Sequence, residues 1–118
     1  AAYADRVMVE QVLLNLVKNA IEAMREVPAA RRDLRVEGRV DLDGAVELRV
    51  LDRGKGLSPA ESEQLFSPFF TTKSDGLGIG LAICRSIIEY HEGRLFFEAR
   101  DGGGSVFGFT LPPPDRRI

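Results

Sequence analysis

Between residues 5 and 27 the apolar side chains Val9, Val12, Leu13, Leu16, Ala20 and Met24 recur at three- and four-residue steps, the spacing that lines one face of an α-helix. A helix with so continuous an apolar face is not stable alone in water, so the rest of the chain has to supply a surface that covers it. Asp5 is placed to cap its start, and Pro28 ends the pattern. Opposite the apolar face runs a stripe of Gln11, Asn15, Lys18, Asn19 and Glu22. Such a stripe is ordinarily a solvated side. Asparagine, however, is a mediocre helix former, and here two stand one turn apart.

The covering surface is legible in two pairs of alternating segments. Residues 34–40 and 45–51 alternate in strand fashion about the turn signal Asp43-Gly44, with Val46, Leu48 and Val50 on one face. Residues 94–99 and 105–111 form a second pair about Asp101-Gly-Gly-Gly104. Between the pairs, Ser58-Pro59 followed by Glu61 predicts a short helix to about residue 65. Residues 66–73 have no clear period, and Gly76-Leu-Gly-Ile-Gly80 runs into a second long helix over 81–92. Ile79, Ile83, Ile87 and Tyr90 lie on one side of it, and Leu81, Cys84 and Ile88 on another. That helix is predicted to be mostly buried, with Gly93 as its C-terminal stop. The order predicts an α+β fold, a two-layer sandwich in which about three helices cover one face of a mixed sheet of about five strands. A first strand, cut short, is expected in residues 1–4. The domain is read as 1–112, and 113–118 as a charged tail.

Composition narrows the class of partner. Sixteen basic against eighteen acidic residues give a net charge of −2, unlike the basic footprint of a duplex-binding protein, so no nucleic-acid partner is expected. Cys84 stands alone in the sequence; it forms no internal disulfide and fits a reducing compartment. No apolar run approaches the ~20 residues of a membrane span. A soluble, cytoplasmic module is expected.

Three clusters carry chemistry. Gly76-Leu-Gly-Ile-Gly80 lets backbone approach a ligand and leads into a helix N-terminus, whose free N–H groups suit phosphate. A flexible loop reads the same way, and the spacing matches neither the GxxxxGK[ST] loop nor the dinucleotide fingerprint. Asp52-Arg-Gly54-Lys-Gly56 lies just past a core strand. Its carboxylate could accept a hydrogen bond from an exocyclic amine such as adenine's, beside glycines that admit a flat ring, or the segment is an ordinary strand-end turn. On the amide stripe, Asn19 offers a neutral oxygen suited to Mg²⁺, which takes one or two protein ligands beside phosphate oxygens. Asn15 lies one turn earlier. Lys18 and Lys73 are candidate phosphate counter-charges.

Together these segments resemble the ATP-binding domain of histidine kinases. Asn15-Leu-Val-Lys-Asn19-Ala20 resembles its N box and Asp52-Arg-Gly-Lys-Gly56 its first glycine box. Phe66-Ser-Pro-Phe-Phe-Thr-Thr-Lys73 is similar to the F box, and Gly76-Leu-Gly-Ile-Gly-Leu81 to the second glycine box. Gly104-Ser105 with Phe107-Gly-Phe-Thr-Leu-Pro112 is similar to the closing strand, so the likeness runs from about Asp5 to Pro112. The family shares the Bergerat ATP-binding fold with gyrase, the mismatch-repair ATPases and the heat-shock chaperone. The resemblance implies ATP and Mg²⁺ as ligands, with Asp52 reading the adenine amine and Asn19 holding the metal. It places Asn15, Gly54, Gly56, Thr71, Thr72, Lys73, Gly76, Leu77, Gly78, Gly80, Leu81 and Ser105 around the nucleotide, and Asn15, Lys18 and Lys73 nearest the transferred phosphoryl. It also implies a phosphoacceptor histidine on a separate helical dimerisation domain of a homodimeric parent, a response regulator downstream, and a monomeric isolated domain.

The departures are informative. In the hydrolysing relatives a Glu one turn before the metal-binding Asn activates water; here that position is Asn15, whose amide cannot take a proton. That favours phosphoryl transfer over a hydrolysing ATPase module of the same fold; a degenerate nucleotide sensor is the other alternative, and with every box filled no residue favours it. Only Ser74 and Asp75 separate Lys73 from Gly76, a short lid that resembles the nitrogen-regulation and oxygen-sensing branch, as does Glu22. His91 lies a dozen residues from the phosphate end of its helix, ~18 Å at 1.5 Å per residue, and is read as structural.

Overall fold

In the computed structural model, which describes residues 6–64 and 80–113, helix α1 (Arg6–Ala23) carries the apolar face that its spacing predicts. Val12, Leu16, Ala20 and Met24 are buried, and Val9 and Leu13 pack against the core they join. The helix ends four residues before the expected boundary. Arg25 N–H donates to the Glu22 carbonyl and Val27 N–H to Met24, so the chain tightens into i→i+3 turns ahead of Pro28. Arg32 then folds back, its Nε donating to the Val27 carbonyl at 2.7 Å and its Nη2 to that of Arg25 at 3.0 Å. These bonds satisfy carbonyls that a helix end leaves open. A single 3₁₀ turn, Ala29–Arg31, completes the connection.

Strands β1 (Arg35–Val40) and β2 (Val46–Leu51) form the first hairpin. Gly44 takes φ 94° in its turn, and the Asp43 carboxylate accepts the Ala45 amide at 3.2 Å. Helix α2 (Pro59–Glu63) starts with a capping box: Ser58 Oγ accepts the Glu61 amide at 3.1 Å, and Glu61 Oε1 accepts the Ser58 amide at 2.9 Å. Helix α3 (Gly80–Tyr90) leads to β3 (Arg94–Ala99) and β4 (Ser105–Leu111), whose bounds coincide with those predicted.

The four strands pair in the order β1-β2-β4-β3, every pair antiparallel. The α+β sandwich is as expected, but the described sheet has four antiparallel strands rather than about five in a mixed sheet; the strand expected in residues 1–4 lies outside the described residues. Its cover is two helices, α1 over β2 and β4 and α3 over β3 and β4, with α1 and α3 against each other. No described helix lies on β1, and all six of its residues are exposed.

The central strand β4 is buried on both faces. Phe107, Phe109 and Leu111 meet Val12, Leu16, Cys84 and Ile88 in the core. On the other face Gly108 leaves room for the Phe96 ring to lie across it, where a Cβ would come within 2.5 Å of Phe96 Cζ. Arg49 stands 5.9 Å over that ring and pairs with Glu98 at 2.8 Å.

Two expectations for α3 are corrected. Cys84 and Ile88 are buried, but Ile83 is 49% and Tyr90 76% exposed, because the helix packs along one side only. The left-handed residue at its end is Glu92, with φ 62°, not Gly93. Gly93 is needed for a different reason: a Cβ there would collide with the Thr110 carbonyl of β4.

Candidate functional site

Asp52 follows the last residue of β2 and is fully buried. Its Oδ1 accepts the Gly54 amide at 2.8 Å, the local turn expected of an Asp before glycine. Its Oδ2 is inaccessible to solvent and has no hydrogen-bond partner among the described residues. Burial pushes the Asp52 carboxyl above its ordinary value, opposed by the Gly54 and Ser105 amides and by the Arg100 guanidinium. A buried acceptor left unsatisfied costs ~1–3 kcal/mol, so the fold carries this unpaired oxygen at its own expense.

The loop that carries Asp52 is fastened on two sides. Against α1, a Cβ on Gly54 would lie 2.6 Å from the Ala23 carbonyl, and the Arg53 amide points at Met24 Sδ, 3.3 Å away. Gly54 is therefore required by the close approach of the helix, quite apart from any ring that slides past it. On the other side lies the β3–β4 turn. A Cβ on Gly104 would collide with the Asp52 carbonyl, the Asp52 amide donates to the Ser105 carbonyl at 2.9 Å, and Gly56, with φ 73°, faces the Gly104 carbonyl. Arg100, at the base of that turn, is buried with Nη2 2.6 Å from Asp33 Oδ2. That bond, with Arg35 nearby, holds the Asp33 carboxyl below its ordinary value.

From this loop the amide stripe runs back along α1. Asn19 stands one turn before Ala23 and Asn15 two turns, about 6 and 12 Å along the axis at 1.5 Å per residue. Both are half-buried, and Lys18 is exposed. The Asn15 amide lies beside the Cys84 thiol of α3, which burial pushes up to about 11. Cys84 is one turn into α3 from Gly80, which has open space where its Cβ would be. Asp52, the amide stripe and the N-terminus of α3 thus lie along one path.

The structure brings Asp52, Gly54, Gly56 and Ser105 together at one end of that path, with Gly80 and the half-buried Leu81 at the other. Thr71, Thr72, Lys73, Gly76, Leu77 and Gly78 lie outside the described residues. No group of three or more His, Cys, Asp or Glu that could hold a metal occurs among the described residues. A cation here would draw most of its ligands from a bound molecule, the regime in which Mg²⁺ needs only one neutral oxygen such as that of Asn19. His91 is buried at the far end of α3, its Nδ1 donating to the Ile87 carbonyl at 2.8 Å.

Sequence reasoning missed Arg53, Arg100, the Met24 contact and the Asn15–Cys84 approach. The one available signal was the glycine run 102–104, longer than a hairpin turn requires. A groove of about 330 Å³ on the outer sheet face, lined by Glu37, Gly38, Arg39, Glu47 and Arg49, is a weaker candidate. Its Arg39 and Glu47 already pair with each other at 3.2 Å.

Comparison with known proteins bears on the family and the fold. Residues 4–115 match the family described as histidine kinase-, DNA gyrase B-, and HSP90-like ATPase. The chain is 51% identical to the C4-dicarboxylate transport sensor protein DctS of Rhodobacter capsulatus over 94% of its own length and 17% of that protein. It is 47% identical to the sensor protein FixL of Bradyrhizobium diazoefficiens over 95% of its length and 22% of that protein. The chain thus spans about a fifth of the curated relatives it matches. Among solved structures it superposes on the nucleotide-free catalytic domain of histidine kinase ThkA with a TM-score of 0.84 at 41% identity, covering 98% of this chain and 74% of that one. Full-length ShkA in complex with AMPPNP superposes at 0.73 and 27% identity, over 89% of this chain and 21% of that one.

Proposed function

The chain belongs to the histidine kinase-, DNA gyrase B-, and HSP90-like ATPase family, and from that premise we propose that it binds Mg·ATP and donates the γ-phosphoryl group to a histidine on a separate helical domain of a sensor kinase. The observation that carries this reading is Asp52 Oδ2, a buried acceptor without a partner among the described residues, at the closed end of a path lined by amides. The adenine amine would supply the missing donor. The triphosphate would extend past Asn19 toward the N-terminus of α3, and the resemblance to the family's boxes assigns Thr71, Thr72, Lys73, Gly76, Leu77 and Gly78 to it as well. Mg²⁺ on the Asn19 oxygen would neutralise phosphate charge. In the transfer, the bond from the γ-phosphorus to the β–γ bridging oxygen breaks, a bond to an imidazole nitrogen forms, and ADP leaves.

Asn15 supports transfer over hydrolysis. Its amide cannot take a proton from water, and its place beside Cys84 makes it a contact between α1 and α3. We assign the nucleotide domain to residues 1–112 and the tail to 113–118. The domain acts in the cytoplasm, as a monomer when isolated and within a homodimeric parent, with a response regulator downstream and no nucleic-acid partner. No described helix is long and apolar enough to cross a membrane.

The test is calorimetry with ADP and GDP on the wild type and on Asp52→Ala. Adenine binding should fall roughly 5- to 150-fold in the variant, the equivalent of ~1–3 kcal/mol, and GDP should bind the wild type poorly because guanine offers a carbonyl where adenine offers an amine. Unchanged ADP affinity in a folded variant refutes the assignment. Labelled Mg·ATP should place acid-labile phosphate on an added helical acceptor domain and not on this chain.

A further inference from the structure

The turn at 101–104 lies over the backbone of Asp52 and Arg53, yet it has little of its own to hold it there. Gly102, Gly103 and Gly104 have φ of 85°, 112° and 105°, a conformation that glycine enters freely and leaves as freely. Two backbone bonds close it, Gly103 N–H to the Arg100 carbonyl and Arg100 N–H to the Gly104 carbonyl. Among the described residues, the side chain that bonds its carbonyls is that of Arg53, whose Nη1 donates both hydrogens, to Asp101 at 2.6 Å and to Gly103 at 2.8 Å. The backbone of the same residue is fastened on the opposite side, its amide at Met24 Sδ. The turn ends in Ser105, whose carbonyl takes the Asp52 amide.

We propose that Arg53 is a positioning residue for adenine recognition: it ties the glycine turn to the loop of Asp52, and so sets where the unpaired Asp52 carboxylate oxygen points. The inference rests on the adenine reading of Asp52. Arg53 itself touches no ligand in this scheme. Arginine suits the task because its planar head presents paired donors in fixed geometry at the end of a long stem, where an apolar side chain of similar length would leave both carbonyls unbound.

If Arg53 acts through Asp52, its removal should cost the amine-dependent part of binding and little else. Adenosine and purine riboside, which lacks the 6-amine, should be titrated into the wild type, Arg53→Met, Arg53→Lys, Asp52→Asn and the double variant Asp52→Asn/Arg53→Met. Arg53→Met should weaken adenosine about fivefold to tenfold while purine riboside changes less than twofold. Arg53→Lys should recover most of the loss, and the double variant should bind adenosine as Asp52→Asn alone does. In the ligand-free protein, the Asp52 amide should exchange with solvent about tenfold faster in Arg53→Met, while the β1–β2 amides keep their rates. Equal losses for both nucleosides, additive losses in the double variant, or unchanged adenosine affinity in Arg53→Met each refute the role of Arg53. A wild type that does not distinguish the two nucleosides, or an Asp52→Asn variant that binds adenosine undiminished, refutes the adenine reading itself and the inference with it.

Discussion

At the scale of single residues, Asp52 carries the clearest tension among the described residues. Removing its charge should help the empty fold and harm binding. Asp52→Asn keeps the shape and the bond from the Gly54 amide while replacing a buried charge by a neutral amide, whose burial costs less, so the ligand-free domain should melt higher than the wild type at neutral pH. Because burial raises the Asp52 carboxyl, folding favours its protonated form. The penalty is absent below the unfolded value and complete above the raised folded one. The melting-temperature gap between Asp52→Asn and the wild type should therefore be widest near neutral pH and close as pH falls through the raised carboxyl. Asp33, held down first by its bond to Arg100, behaves oppositely, its contribution being lost as pH falls, but it does so equally in both proteins. A gap that does not change with pH would show that Asp52 is not desolvated.

At the scale of elements, the end of α3 separates two jobs that glycine performs. Glu92 occupies the left-handed position at φ 62°, where a side chain is strained by about 1–2 kcal/mol. Gly93 follows, pressed against the Thr110 carbonyl. Glu92→Gly should stabilise the domain by about 0.5–1 kcal/mol in chemical denaturation, the strain relief less glycine's own entropic cost. Gly93→Ala should destabilise it by more than that, because the obstacle is β-sheet backbone that cannot step aside. Reversed signs would mean that the two positions had exchanged roles. The same lesson applies to Gly54. In the sequence it reads as room for a ligand, and in the fold it is first room for the Ala23 carbonyl of α1.

For the whole molecule, stability is concentrated where β4 passes under both helices. Phe109 is fully buried between them, and Phe109→Ala should cost ~3–5 kcal/mol, a large share of the ~5–15 kcal/mol available to a domain. On β1, where no described helix lies, Val36 is half exposed, and Val36→Thr should change stability by no more than ~0.5 kcal/mol. Equal losses at the two sites by urea denaturation would contradict this division of the sheet into a covered centre and an open margin. The division also bears on binding, because both the Asp52 loop and the turn above it hang from the covered strands β2, β3 and β4.

What the sequence determined by itself is the set of elements and the chemistry they carry. The period of Val9 to Met24, the alternation of Val46, Leu48 and Val50, the Asp43-Gly44 turn and the Ser58–Glu61 cap act over a few residues, so a chain read in order reveals them. The resemblance to the histidine-kinase boxes is local in the same sense, each box being a short run of residues. What only the tertiary structure decided involves residues far apart in the chain. The order β1-β2-β4-β3 sets Asp52 beside Ser105, and the approach of α1 makes Gly54 obligatory. The one-sided seat of α3 leaves Ile83 and Tyr90 exposed, and the glycine turn is held by a side chain 48 residues before it. Backbone that must approach within van der Waals distance has no signature in either segment alone. The closeness, and the unpaired oxygen it surrounds, exist only once the strands are paired.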